Sequence, residues 1–162
     1  MKRIMFSASK QCPLGCKYCF AKWDNYPKQL SCNNELNFNK TVNIVYPCCD
    51  GEFFLDENWF SFLEGIINKV KKRTIISIST KLIITEDIIK KIADLNKRLL
   101  DKRLGFIKIA ISISNRSKIQ EIEPGTSTFE DRLNSLKLLS KYNIQRSVTL
   151  KPILPFITKE DS

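Results

Sequence analysis

Apolar positions along the chain recur with two periods that take turns. Ile107, Ile109, Ile111 and Ile113 alternate with Lys108, Ala110, Ser112 and Ser114, a period of two that predicts a strand from Phe106 to Ser114. Shorter β-rich runs at Arg3–Ala8, Thr41–Tyr46, Thr74–Thr80 and Ile144–Lys151 predict four more. Pro47 bounds the second of these, and Pro152 and Pro155 stop the last. Between them the period lengthens to that of a helix. Trp59, Leu63, Ile66, Ile67 and Val70 share one face of a helix starting near Asp56. Ile88, Ile92, Leu95 and Leu99 mark the buried side of another, with Thr85 as its cap and Glu86 and Asp87 in its first turn. Leu133, Leu136 and Leu139 mark a later one, which Ser127-Thr128-Phe129-Glu130 opens as a capping box and Tyr142 closes.

Strand–helix alternation at about 30 residues per unit predicts βα units and a parallel sheet. The chain has 162 residues, whereas a closed eight-stranded barrel takes about 250. The expectation is an α/β fold, either an open or partial (β/α) barrel of about five strands or an open doubly wound sheet. In both, functional groups gather at the carboxyl ends of the strands. No linker divides the sequence, so residues 1–162 read as a single domain.

Composition narrows the chemistry. Hydrophobic residues at 43% suffice for a core and exclude a disordered chain. There is no histidine. That excludes Ser–His and Cys–His nucleophiles, histidine bases and every histidine-containing zinc site. Basic Met1-Lys2-Arg3 is followed only by Ile4-Met5-Phe6, well short of the roughly 7–15 apolar residues of a secretory signal. Nor is there a run near the ~20 apolar residues of a membrane span. The expected setting is the cytoplasm, where six cysteines are thiols or metal thiolates rather than disulfides.

The formal net charge is +10, which leaves a nucleic-acid partner open. The basic residues are dispersed, however. Lys69, Lys71, Lys72 and Arg73 end one predicted helix, and Lys90, Lys91, Lys97, Arg98, Lys102 and Arg103 decorate the next. Cations near helix C-termini stabilise the helix without a ligand. No basic–aromatic interleave of the kind that stacks single strands accompanies them.

The densest chemistry follows the first predicted strand, in Cys12-Pro13-Leu14-Gly15-Cys16-Lys17-Tyr18-Cys19-Phe20. A loop turned by Pro13 and Gly15 can aim three thiolates at one point. Three thiolates suit an iron–sulfur cluster, and a [4Fe–4S] cluster would keep one iron for a non-protein ligand. A zinc site would need a fourth ligand such as Cys32, and the second knuckle of the usual zinc pattern is missing. Three buried structural cysteines are the remaining alternative. After the second strand stand Cys48-Cys49-Asp50-Gly51-Glu52. A carboxylate beside a glycine-opened backbone can hold an ammonium, or it can be a solvated acid in a turn. Adjacent cysteines rarely bond each other. Cys48 and Cys49 could be small buried hydrophobes, or ligands of a second cluster with Cys32. Ser112 and Ser114 share a parity opposite to the isoleucines, so they face together, inwards or towards solvent. Arg132 beside Glu130 and Asp131 could be a solvated helix residue.

The C-x₃-C-x₂-C spacing with Tyr18 before its last cysteine resembles the radical S-adenosylmethionine (SAM) superfamily. That resemblance implies part of a (β/α)₆ barrel. It implies a [4Fe–4S] cluster on Cys12, Cys16 and Cys19, whose fourth iron chelates the amino and carboxylate groups of SAM. An electron from a flavodoxin- or ferredoxin-type donor would cleave SAM to methionine and a 5′-deoxyadenosyl radical, which takes hydrogen from a substrate. Tyr18 would lie near the adenine. Asp50-Gly51-Glu52 stands where family members often carry Gly-Gly-Glu to bind the methionine amino group, with an aspartate for one glycine.

Ser112-Ile113-Ser114, Glu123-Pro124, Ser127, Arg132-Leu133 and Lys151-Pro152-Ile153-Leu154-Pro155 are similar to one branch, the spore photoproduct lyase-like proteins. On that likeness Ser112 or Ser114 contacts the ribose, and Arg132 pairs with the SAM carboxylate. Cys48 or Cys49 returns a hydrogen atom to the product radical. The family barrel usually has six strands, so the chain is expected to be a short or truncated member. A fifth strand left as an edge calls for a homodimer or a completing subunit. Two other expectations stand beside the enzyme: a non-catalytic cluster-binding fragment or subunit, and a small basic zinc-binding nucleic-acid protein.

Overall fold

The structure is a computed structural model, and it describes residues 2–8, 11–22 and 42–153. Five strands are present among the described residues: β1 (Lys2–Met5), β2 (Val42–Tyr46), β3 (Arg73–Thr80), β4 (Gly105–Ile113) and β5 (Gln145–Leu150). They pair in chain order, all parallel, into one open sheet. The helices are α1 (Trp59–Lys69), α2 (Glu86–Asp101), the single turn α3 (Ile119–Ile122) and α4 (Phe129–Lys141). The expected α/β fold with an open parallel sheet is what forms.

The isoleucine alternation builds the core. Ile76 and Ile78 of β3 and Ile107, Ile109 and Ile111 of β4 are almost wholly buried beside Leu63 and Ile66 of α1, Ile92 and Leu95 of α2, and Leu139 of α4. Register keeps Ile76 beside Ile107 and Ile78 beside Ile109, so the apolar rows of neighbouring strands share one face. Ser77, Ser79 and Ser112 fall on the other face. Asn96 is the polar exception on the packed side of α2, and its Oδ1 accepts the Ile107 N–H at 2.7 Å.

Three local expectations shift. The first helix starts at Trp59 rather than near Asp56, because Phe53–Leu55 forms a 3₁₀ turn and the Asp56 carboxylate accepts the Asn58 N–H at 2.8 Å. On α2 it is Ile89 that is fully buried with Ile92, while Ile88 stands half-buried at the shoulder. The capping box of α4 moves by one residue. Thr128 Oγ1 accepts the Asp131 N–H at 3.1 Å and Asp131 Oδ2 accepts the Thr128 N–H at 3.3 Å. Ser127 is drawn elsewhere: its hydroxyl accepts the Ile83 N–H at 2.6 Å.

Candidate functional site

The cysteine loop leaves β1 at its carboxyl end and is held by a segment about a hundred residues later. Lys17 N–H donates to Ile122 O at 2.9 Å, and Gly125 N–H donates to Leu14 O at 3.0 Å. A Cβ on Gly125 would stand 2.6 Å from Leu14 O, so only glycine allows this approach. Leu14 and Cys16 are buried, and Cys12 and Cys19 are half-buried. Burial pushes the Cys12 and Cys16 thiols up, and the Lys81 ammonium pulls Cys16 partly back.

Glu123 is the hub beneath this loop. It has no exposed surface, yet its two oxygens are fully engaged. The Tyr18 hydroxyl donates to Oε1, Lys81 Nζ lies 3.3 Å from it, and Arg132 Nη2 donates to Oε2 at 2.6 Å. Burial pushes the Glu123 carboxyl up, but Tyr18, Lys81 and Arg132 outweigh it and hold it below the usual carboxylate range. Arg132 is itself 0% exposed. Its Nε donates to Ser127 O at 3.0 Å and Nη1 to Ser112 O at 2.7 Å, and Nη2 also reaches the Thr126 hydroxyl. The solvated-helix reading of Arg132 therefore fails. The guanidinium ties β4 and α4 to Glu123. Tyr18 points its hydroxyl into the same hub, and its ring lies under Lys81 Nζ at 4.5 Å.

A second group forms at the carboxyl end of β2. Asp50 Oδ1 accepts the Ala8 N–H at 2.6 Å, drawing the two loops together. Gly51 permits this contact, since a Cβ there would meet Ala8 Cβ at 2.4 Å. Glu52 is only 8% exposed, so it is no solvated acid. Its Oε2 accepts the Lys81 N–H at 3.0 Å, while the buried Oε1 has no partner. Burial pushes its carboxyl up. Glu52, Cys12 and Cys48 all line a cavity of about 620 Å³. Phe6, Phe53 and Trp59 line it too. Burial raises the Cys48 thiol to about 12. Cys49 is turned back towards β2, with its Sγ 3.9 Å from Tyr46 O.

Lys81 joins the two groups. Its backbone holds Glu52 and its ammonium lies 3.6 Å from Cys16 Sγ. Sequence reasoning passed over it. The available signal was its place immediately after β3, at the carboxyl edge of the sheet. Ser112 and Ser114 are both buried, which overturns the solvent-facing alternative, and Ser114 Oγ has no hydrogen-bond partner. Neither serine, nor Arg132, lines the cavity beside Cys12. Cys32 lies outside the described residues.

Among the described residues no three cysteine, aspartate or glutamate side chains are grouped as they would be around one metal ion. A [4Fe–4S] cluster places each thiolate on a different iron, so its ligands need not converge in that way. Among the described residues no helix is long and apolar enough to cross a membrane.

No protein-family model matches the chain. An uncharacterised protein of Methanocaldococcus jannaschii is 27% identical over 165 residues, an alignment covering 89% of this chain and 58% of that protein. Among solved structures the chain is similar to spore photoproduct lyase, a radical SAM enzyme. The lyase complexed with a dinucleoside spore photoproduct matches with a TM-score of 0.56 and 18% identity, over 72% of this chain and 32% of the lyase. A point variant of the lyase matches with a TM-score of 0.55 and 18% identity, over 71% and 32%. The likeness is one of fold: five parallel strands in an open sheet, matching part of the radical SAM barrel. The chain spans less than two thirds of the length of each of these proteins.

Proposed function

We propose that this chain is a radical SAM iron–sulfur protein, with Cys12, Cys16 and Cys19 as the ligands of a [4Fe–4S] cluster and SAM as its co-substrate. Bound there, the cluster supplies reductive cleavage of SAM to a 5′-deoxyadenosyl radical. The observation that carries the reading is the orphaned Oε1 of Glu52. A buried carboxylate oxygen without a donor costs free energy. Glu52 lines the same cavity as Cys12, and an incoming ammonium that reached this oxygen would satisfy it. The spore photoproduct lyase fold supports the same assignment.

The chain's own residues then divide the work. Asp50 and Gly51 fix the loop that presents Glu52. Glu123 holds Tyr18 and Lys81 under the cysteine loop, and Arg132 anchors Glu123. Ser112 and Ser114 remain ribose contacts on the family likeness alone. Cys48 faces the cavity and its thiol stays protonated at neutral pH, as a hydrogen-atom donor requires. Giving that hydrogen to a substrate radical leaves a Cys48 thiyl radical, which must be reduced before the next turnover. An electron donor of flavodoxin or ferredoxin type and a reducing, cytoplasmic setting complete the proposal.

Anaerobic reconstitution tests it. We expect about four irons per chain, and 5′-deoxyadenosine released from SAM on reduction. Glu52→Gln should keep the iron and weaken SAM binding. A Cys16→Ala variant that bound iron and cleaved SAM as well as wild type would refute the assignment. Iron uptake with no cleavage until a second chain is added would favour the cluster-binding subunit.

A further inference from the structure

We infer that Lys81 sets the reduction potential of the cluster through its contact with the Cys16 sulfur. The inference rests on the function proposed above. Lys81 is pinned through its backbone from both sides. Its N–H donates to Glu52 Oε2 at 3.0 Å and its carbonyl accepts the Ser127 N–H at 3.1 Å. With the backbone fixed, the ammonium donates to Cys16 Sγ at 3.6 Å and to the Tyr18 hydroxyl, and Glu123 Oε1 at 3.3 Å is its ion-pair partner. The side chain is only 19% exposed, so water screens it weakly.

Arg132 decides where that charge acts. It pairs with Glu123 at 2.6 Å, closer than Lys81 at 3.3 Å. Two cations thus share one carboxylate, and much of the Lys81 charge is left to face the sulfur. Adding one electron to an iron–sulfur core adds one negative charge. A cation against a ligand sulfur stabilises that added charge, and hydrogen bonds to the sulfurs act in the same direction. Lys81 therefore raises the potential and eases the electron transfer that the chemistry needs, while Glu123 opposes it.

The test is a potentiometric titration of the reconstituted protein without SAM, with dithionite as the one-electron reductant and the spin-resonance signal of the reduced cluster as the readout. Lys81→Gln should lower the equilibrium constant for reduction at least about tenfold, a downward shift of about 59 mV for one electron. Lys81→Arg keeps the charge and should restore most of it. Glu123→Gln should move the potential upwards. An unchanged potential in Lys81→Gln with normal iron overturns the inference and leaves the proposed function standing. An equal fall in Lys81→Arg also overturns it, since charge would not be the cause. Should Lys81→Gln fail to hold iron, Glu123→Gln decides alone, and a potential that does not rise is fatal. Wild-type protein that takes up no cluster removes both the function and the inference.

Discussion

Arg132 and Glu123 form a charge pair with no exposed surface on either side. Such pairs are weak evidence of net stability, but breaking one strands the partner charge in a medium that cannot solvate it. Arg132→Met should therefore cost about 3–5 kcal/mol, measured by chemical denaturation. Glu123 also gives the protein a pH signature. Its folded carboxyl lies below the ordinary value of 4.5, so the unfolded chain binds a proton more readily than the folded one. This contribution is complete above 4.5 and is lost as pH falls through the lowered folded value. Glu52 has the opposite sign, because burial raises its carboxyl. Its contribution is present at low pH and is lost as pH rises through the folded value. Acid unfolding followed by circular dichroism should show a shallower acid limb in Glu123→Gln than in wild type. Glu123 was legible in the sequence only as half of a Glu-Pro motif. Its role comes from Tyr18, Lys81, Thr126 and Arg132, which no local spacing connects to it.

Elements were read more easily than their ends. The alternation of Ile107–Ile113 marks a strand because a pleated chain sends successive side chains to opposite faces. That constraint is local, and it held in β4 to within a residue. Caps are harder, since neighbouring hydroxyls compete for the same position. Ser127 and Thr128 each have an acid three residues on, and the Ile83 N–H took Ser127 out of the contest. Thr128→Ala should cost about 1 kcal/mol of stability, within the usual range for a lost N-cap. Glu130→Ala should be nearly silent, because Asp131 closes the box. Gly125 is an element-scale lock of another kind. Gly125→Ala forces a Cβ against the Leu14 backbone and should displace the cysteine loop, read as reduced iron retention after reconstitution with little change in helix content.

The sheet leaves its margins open. Among the described residues β5 pairs only with β4, and its Val148 and Leu150 are 48% and 61% exposed. Exposed apolar side chains on an unpaired edge strand favour association. We expect concentration-dependent self-association in sedimentation velocity, relieved by Leu150→Lys; a monomer at all concentrations would count against the expected homodimer. The charge of +10 makes its own prediction at this scale. Any DNA affinity that comes from charge alone should collapse between low and physiological salt.

By itself the sequence determined the order of the five strands and the three longer helices, though not the single turn α3, and it determined the parallel sheet and the edge at which its loops gather. These follow from periodicity and from the rule that βα units bring loops to the carboxyl ends of strands. It also determined that three cysteines crowd one loop, since their spacing is covalent. Only the tertiary structure decided which polar groups meet there. It turned Arg132 inwards to Glu123, left Glu52 Oε1 without a partner beside Cys12, chose Cys48 rather than Cys49 for the cavity wall, and brought Lys81 to Cys16 across 65 residues. The reason is physical. A buried charge takes whichever partner the packed chain delivers, and that delivery depends on loops and helices folding over one another.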